Sequence, residues 1–287
     1  MKIAFIGFGE AARSFVDSLA PLHPGLVLAA HDIRRDDEMA AAMATRGVSD
    51  GGLAAALADA RLVISAVTAD QSLVAARAAL PHLSQGQSYV DLNSVSPARK
   101  AQTAAEIAGR HEHYIDMAVM APVQPDGHAT PTLIAGETAE ALLPVLTDLG
   151  FRCGLIGPTP GQAAGVKMSR SLFVKGLEAI SVECAQAAAS FGVLPQVLAS
   201  LERSYPGLDL PRALPHMFER TLRHGTRRAA EMRECAATLE TVGLAAGLAE
   251  SIADVQGQMG ALPMLDLPEG AFDEAVETVA TLRRTPR

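Results

Sequence analysis

Two short stretches of this chain hold residue types that do chemistry only in company, and 148 residues separate them. The first is Gly7-Phe8-Gly9-Glu10-Ala11-Ala12, directly behind the apolar run Ile3-Ala4-Phe5-Ile6. A first glycine that permits a tight turn and a second that lets backbone approach a phosphate are followed here by a helix-forming stretch. The free N–H groups and partial positive charge of that helix start would hold the pyrophosphate of a dinucleotide. Ala12 stands at the third glycine position, where a small residue suffices for helix–strand packing. Asp32, 23 residues after Gly9, has the spacing of a carboxylate that accepts a hydrogen bond from the adenosine ribose. Asp32 favours NAD. Arg34 and Arg35 follow it, placed either to hold the 2′-phosphate of NADP or to stand as solvated loop residues. The expected cofactor is therefore NAD or NADP, with NAD favoured.

The second stretch is Gly161-Gln162-Ala163-Ala164-Gly165-Val166-Lys167-Met168-Ser169-Arg170-Ser171. Lys167 and Ser171, four apart, share one helix face. A lysine with a tuned pKa can protonate or deprotonate a substrate hydroxyl or carbonyl; taken alone, it also reads as an ordinary surface lysine. Arg170 offers a clamp for carboxylate or phosphate, or a solvated helix position. Between the two stretches, Asp91-Leu92-Asn93-Ser94-Val95-Ser96-Pro97 sets polar side chains at the C-terminal end of a strand, where open α/β sheets bind ligands. The run Arg223-His224-Gly225-Thr226-Arg227-Arg228 reads as an anion site, or Arg227 as a plain i,i+4 partner of Glu231. His111 and His113 lack a neighbouring acidic or cysteine cluster, so no metal site is expected.

Positioning these residues falls to an alternation of apolar runs and helical stretches. Strands are predicted at 3–6, 26–30, 62–67, 88–91, 114–116 and 132–135, with a short stretch at 47–48. Helices are predicted at 11–20, 38–45, 71–80, 97–109 and 139–149, with Ser96-Pro97 as N-cap and first helical residue. This order predicts an α/β fold with a Rossmann-type, doubly wound parallel sheet over residues 1–158. The character changes at Gly157-Pro158-Thr159-Pro160. Residues 159–287 read as an all-α domain that opens with a long interdomain helix over 161–191, closed by Gly192. Further helices are predicted at 195–203, 214–223, 227–242 and 246–259.

Composition narrows the classes of function. The chain has 287 residues, enough for two cores, with 49% hydrophobic and 20% charged residues. A net charge of −8, no Trp and only three Tyr argue against a nucleic-acid partner. Three cysteines, Cys153, Cys184 and Cys235, are far apart and read as small buried fillers in a reducing compartment. The first apolar run is too short for a secretory signal, and no stretch reaches the length of a membrane span. A cytoplasmic protein without a membrane partner is expected.

The motifs together resemble the β-hydroxyacid dehydrogenase family, which includes 3-hydroxyisobutyrate and 6-phosphogluconate dehydrogenases. The N-terminal turn resembles that family's cofactor motif. Asp91 to Pro97 resembles D-x-S-T-x-x-P, with Asn93 and Ser94 where serine and threonine are usual. Asp116-Met117-Ala118-Val119 resembles the start of D-A-P-V-S-G-G, but Met120-Ala121-Pro122 replaces Ser-Gly-Gly. Gly161 to Ser171 resembles G-x-G-x-x-x-K-x-x-N-N, which puts Lys167 on the catalytic lysine. Ala163 replaces the second glycine, and Arg170 and Ser171 replace the asparagines. Glu231 stands where the family tends to have the aspartate of a Lys–Asp pair. The resemblance implies an NAD(P)-dependent dehydrogenase with the nicotinamide near Val67-Thr68 and Asn93-Ser94, and Lys167 as general acid and base. It implies a small anionic hydroxy or oxo acid as substrate, near Asn93, Ser94, Met120, Arg170, Ser171 and Glu231. It also implies a homodimer. Two other readings stand beside it: an imine reductase-like enzyme, in which an acid or tyrosine usually replaces the lysine, and a non-catalytic dinucleotide-binding sensor.

Overall fold

A computed structural model of the chain describes residues 1–108, 113–265 and 272–284. The chain divides into two units, Met1–Lys167 and Met168–Arg287. In the first, the strands are β1 (Lys2–Ile6), β2 (Val27–His31), β3 (Ser49–Asp50), β4 (Leu62–Ser65), β5 (Ser88–Asp91), β6 (Tyr114–Val119), β7 (Thr132–Ala135) and β8 (Cys153–Gly157). The helices are α1 (Glu10–Leu19), α2 (Asp37–Ala44), α3 (Gly52–Leu57), α4 (Ser72–Ala79), α5 (Pro97–Ala108) and α6 (Ala139–Asp148). The sheet runs in the order β3-β2-β1-β4-β5-β6-β7-β8. Its pairs are parallel except β6 with β7, which are antiparallel. The chain therefore reverses at β7, and the sheet is mostly parallel. The long connection from Met120 to Pro131 makes that reversal possible without a crossover helix.

Alternation along the strands explains why both faces are covered. Ile3 and Phe5 of β1 join a core with Phe15, Val16 and Leu19 of α1 and Leu142 and Leu146 of α6. Ala4 and Ile6 point the other way, into a core with Leu57, Ala76 and Ile107. Strands buried on both sides read as near-continuous apolar runs, which is why β1 and β4 were legible. By contrast β8 is an edge strand with Leu155 and Ile156 each 40% exposed, and it leaves no such signature. The short α3 also has no counterpart in the sequence reading.

The second unit is helical, as expected: α7 (Gln162–Ser190, whose first turns belong to the sheet unit), α8 (Leu194–Ser204), α9 (Leu210–Thr241), α10 (Gly247–Gly260) and α11 (Phe272–Arg284). The division falls inside α7 rather than at 158, because its first turn packs on sheet residues, as described below. Helix α9 is continuous where two helices were predicted. Gly225, between the two predicted helices, does not interrupt α9: a Cβ there would run into the Gln256 carbonyl oxygen of α10. The glycine lets two helices touch and ends neither. Helix α11 was not foreseen. Met39 and Met43 lie in the core of the sheet unit and Met232 and Met259 in two cores of the helical unit, with Met217 packed against the one that holds Met259. Cys235 is buried, while Cys153 and Cys184 are only half-buried.

Candidate functional site

The glycine turn lies where the strand order changes direction, between β1 and β4, the place at which open α/β sheets bind ligands. Gly7 has φ +85°, and a Cβ there would stand 2.5 Å from the Ala66 carbonyl oxygen and 2.8 Å from Val67 Cγ1. Only glycine fits. Gly9 is the N-cap of α1, with no side-chain cap, and a Cβ built on it meets no atom within 4 Å. An uncapped helix start beside open space is what a pyrophosphate requires, so these residues fit a dinucleotide. Ala12 is buried in the core beneath the turn, where only a small side chain would pack. The Phe8 ring is also buried, beneath the Arg13 guanidinium, and serves the turn through its backbone alone. Glu10 is exposed in the first turn of α1, and Ala11 packs against the core.

Asp32 is buried at the end of β2. Its Oδ2 accepts the Phe8 N–H at 2.7 Å and its Oδ1 the Arg34 N–H at 2.9 Å. The carboxylate thus braces the turn, while each oxygen keeps a lone pair for a ribose hydroxyl. Replacing Asp32 with alanine is expected to destabilise the protein by about 2–3 kcal/mol, since two N–H groups lose a charged acceptor. Urea unfolding monitored by circular dichroism checks this.

The two arginines after Asp32 already face carboxylates. Arg34 Nε lies 2.9 Å from Asp36 and its Nη2 3.0 Å from Glu38. Arg35 donates to Asp50 at 2.7 Å and reaches His31 Nδ1 at 2.9 Å. Burial and the adjacent Arg35 hold His31 below its usual pKa, keeping the ring neutral so that Nδ1 can accept.

From the turn, a run of contacts crosses the sheet's C-terminal edge. Ala66 N–H donates to the Ile6 carbonyl at 2.8 Å. Val67 N–H donates to Asn93 Oδ1 at 2.7 Å, and Asn93 Nδ2 donates to Ser65 Oγ at 3.0 Å. Asn93 is buried and spends its amide on the β4 loop, so it shapes the site from beneath, with Val67 half-buried and Thr68 exposed above it. Ser94, next along, accepts a hydrogen bond from Lys167 Nζ at 2.6 Å.

What brings Lys167 to Ser94 is the start of α7. Gly161, at φ +98°, lets the chain pass so close to Pro97 that a Cβ would lie 2.8 Å from the Pro97 carbonyl oxygen. Asp116 Oδ2, at the centre of β6, accepts the N–H groups of Gly161 and Ala164, each at 3.0 Å. A buried carboxylate at a helix N-terminus is well matched to the helix dipole. Ala163, at the family's second glycine, is accommodated among Ala118 and Ala135, with half-buried Met120 packed on the same cluster.

One residue of this region escaped the sequence reading. Lys100 of α5 is 1% exposed, with Nζ 3.0 Å from Asp91 Oδ1 and 3.4 Å from Asp116 Oδ1. The signal was present: Lys100 falls on the same helical stripe as Thr103, Ala104 and Ile107, all buried. A charge on an apolar stripe calls for a buried partner, and Asp91 and Asp116 sit on two neighbouring strands. Tyr114 donates to Asp91 Oδ2 at 2.8 Å, and burial together with Asp91 holds its phenol well above the usual range.

The remaining expected substrate residues belong to the helical unit. Arg170 is exposed. Ser171 is buried and accepts from Lys175 Nζ at 3.2 Å, and Lys175 stands 2.8 Å from Glu231. Arg227 also pairs with Glu231, Arg223 with Glu219 and buried Arg228 with Glu178, so the 223–228 run is largely matched by glutamates. His113 directly precedes β6, and His111 lies outside the described residues. Among the described residues no cluster of three or more metal-ligating side chains occurs, and no helix is long and apolar enough to cross a membrane.

Comparison with known proteins places these features. Residues 2–157 match the family model of the NAD binding domain of 6-phosphogluconate dehydrogenase, and residues 188–259 match a domain of unknown function. A conserved hypothetical protein from Sinorhizobium meliloti 1021 is 35% identical, with 98% of this chain and 96% of that one covered and a TM-score of 0.81. A second solved structure, described as similar to 3-hydroxyacid dehydrogenases, is 28% identical over 90% of this chain and 98% of its own, with a TM-score of 0.73. The 3-hydroxyisobutyrate dehydrogenase of Mycobacterium tuberculosis, solved with L-serine, is 17% identical over 99% of both chains with a TM-score of 0.74, a likeness of fold.

Proposed function

This chain is a divergent member of the β-hydroxyacid dehydrogenase family, and from that premise we propose that it is an oxidoreductase that transfers a hydride between a nicotinamide dinucleotide and a small hydroxy or oxo acid. The observation that carries the reading is the run of contacts from the glycine turn through Val67, Asn93 and Ser94 to Lys167. Gly7 to Ala12 would hold the pyrophosphate and Asp32 the adenosine ribose, with Val67, Thr68 and Asn93 along the nicotinamide. When bound, the nicotinamide supplies C4 as the hydride acceptor or donor. Lys167 takes the hydroxyl proton as a free amine in oxidation and returns it as an ammonium in reduction. Ser94 holds Nζ in place, so that proton transfer begins from a fixed geometry.

A carboxylate on the substrate would suit Arg170, because the arginines of the 223–228 run already face glutamates. Ser94, Met120, Ser171 and Glu231 complete the proposed substrate set. The carboxylates around Arg34 and Arg35 favour NAD over NADP. The reading includes a homodimer in the cytoplasm, and exposed Phe173 and Ile180 along α7 support the dimer.

Fluorescence titration with NADH and NADPH tests the cofactor reading. NADH is expected to bind at least about tenfold more tightly, because the 2′-phosphate would meet Asp36, Glu38 and Asp50. If neither reduced dinucleotide binds, the reading fails. A screen of small hydroxy acids with both cofactors, with cyclic imines as a second arm, then defines the reaction. Light scattering after gel filtration reports the oligomeric state.

A further inference from the structure

Asp91 and Asp116 are register partners on β5 and β6, so their carboxylates leave the sheet on the same side, and neither is exposed. Two buried carboxylates this close need a shared cation. Lys100 supplies it, and its Nζ also donates to the Asp91 carbonyl at 2.6 Å. Each carboxylate then reaches a different end of the Lys167–Ser94 pair. Asp91 Oδ1 accepts the N–H of Asn93 at 3.0 Å, the residue before Ser94. Asp116 Oδ2 accepts the Gly161 and Ala164 N–H groups at the start of the helix that carries Lys167.

The choice of lysine fits this placement. The chain has 20 arginines and four lysines, Lys2, Lys100, Lys167 and Lys175. A compact ammonium can meet three oxygens around one point, whereas a planar guanidinium spreads its donors across a fork.

We propose that Lys100, acting through Asp91 and Asp116, is a positioning residue that sets the Lys167–Ser94 hydrogen bond. The proposal rests on Lys167 as general acid and base, yet the geometry it demands is observable without turnover.

Protein labelled with ¹³C-lysine gives four Cε–Hε groups, assigned by replacing Lys2, Lys167 and Lys175 in turn. In the parent protein the two Hε protons of Lys167 are expected to be inequivalent, because Ser94 holds the ammonium. Ser94→Ala should collapse them to one shift near that of an unfolded chain, which calibrates the signal. Lys100→Met should give the same collapse. The double variant Lys100→Met with Asp116→Asn keeps one net negative charge in the buried cluster, as in the parent. It should recover most of the melting temperature lost by Lys100→Met while the Lys167 signal stays collapsed. An inequivalent Lys167 pair in a folded Lys100→Met or double variant overturns the proposal and leaves Lys100 as a charge balancer only. The double variant gives the answer where Lys100→Met does not fold. Loss of NADH binding by the parent would sink the enzyme reading separately, without altering what the lysine spectrum says.

Discussion

Replacing Lys167 with methionine is expected to lower turnover by ~10²–10⁴-fold, the range for removing a positioned general acid or base. NADH should titrate as it does in the parent, because the glycine turn and Asp32 do not contact this side chain. Methionine keeps the length and the apolar stem of lysine but can neither hold nor deliver a proton. The loss in stability should stay within about 1–2 kcal/mol, since the side chain is half-buried and its hydrogen bond to Ser94 is lost. Steady-state kinetics with NADH titration on the same samples checks both halves. Unchanged turnover would remove Lys167 from the chemistry. A dinucleotide sensor would instead keep its output in the variant, so the same substitution separates an enzyme from a binding protein.

The second large effect comes from a pair of substitutions two residues apart. Gly7→Ala is expected to destabilise by at least about 2–4 kcal/mol, adding left-handed strain to a clash with backbone. The clash is with the Ala66 carbonyl oxygen, 2.5 Å from the new Cβ, and that oxygen cannot move without disturbing β4. Gly9→Ala adds the same methyl to open space, so its unfolding free energy should stay within about 0.5 kcal/mol of the parent's. Its NADH affinity should nevertheless fall about tenfold or more, because the methyl enters the space proposed for the phosphates. Thermal unfolding and NADH titration on both variants give the contrast. A Gly9→Ala protein that binds NADH as tightly as the parent would move the pyrophosphate elsewhere.

The fold class was legible because its signals are local. The apolar runs at β1 and β4 reflect a sheet covered on both faces, and the helices between the strands carry their own period. Elements that lack a local signal were missed or mistaken. Edge strand β8 is half-exposed, β7 reverses direction without a change in residue type, and Gly225 looks like a helix end until Gly260 of α10 is found against it. The site divides in the same way. Gly7 and Gly9 announce themselves by spacing and Lys167 by motif. Asp32 was read toward a ribose, and its two backbone hydrogen bonds became visible only once β1 and β2 lay side by side.

What the sequence alone determined is therefore the strand–turn–helix at the N-terminus, the doubly wound sheet with helices after it, and a lysine in a motif that resembles the family's catalytic one. Tertiary structure decided which charges meet. Lys100 lies between Asp91 and Asp116 because α5 packs over neighbouring strands, and Lys167 reaches Ser94 because Asp116 holds the start of α7. The reason is physical: turn and helix signals act within a few residues. A buried ion cluster draws its partners from residues 91, 100 and 116, and only the packed sheet brings them within hydrogen-bond range.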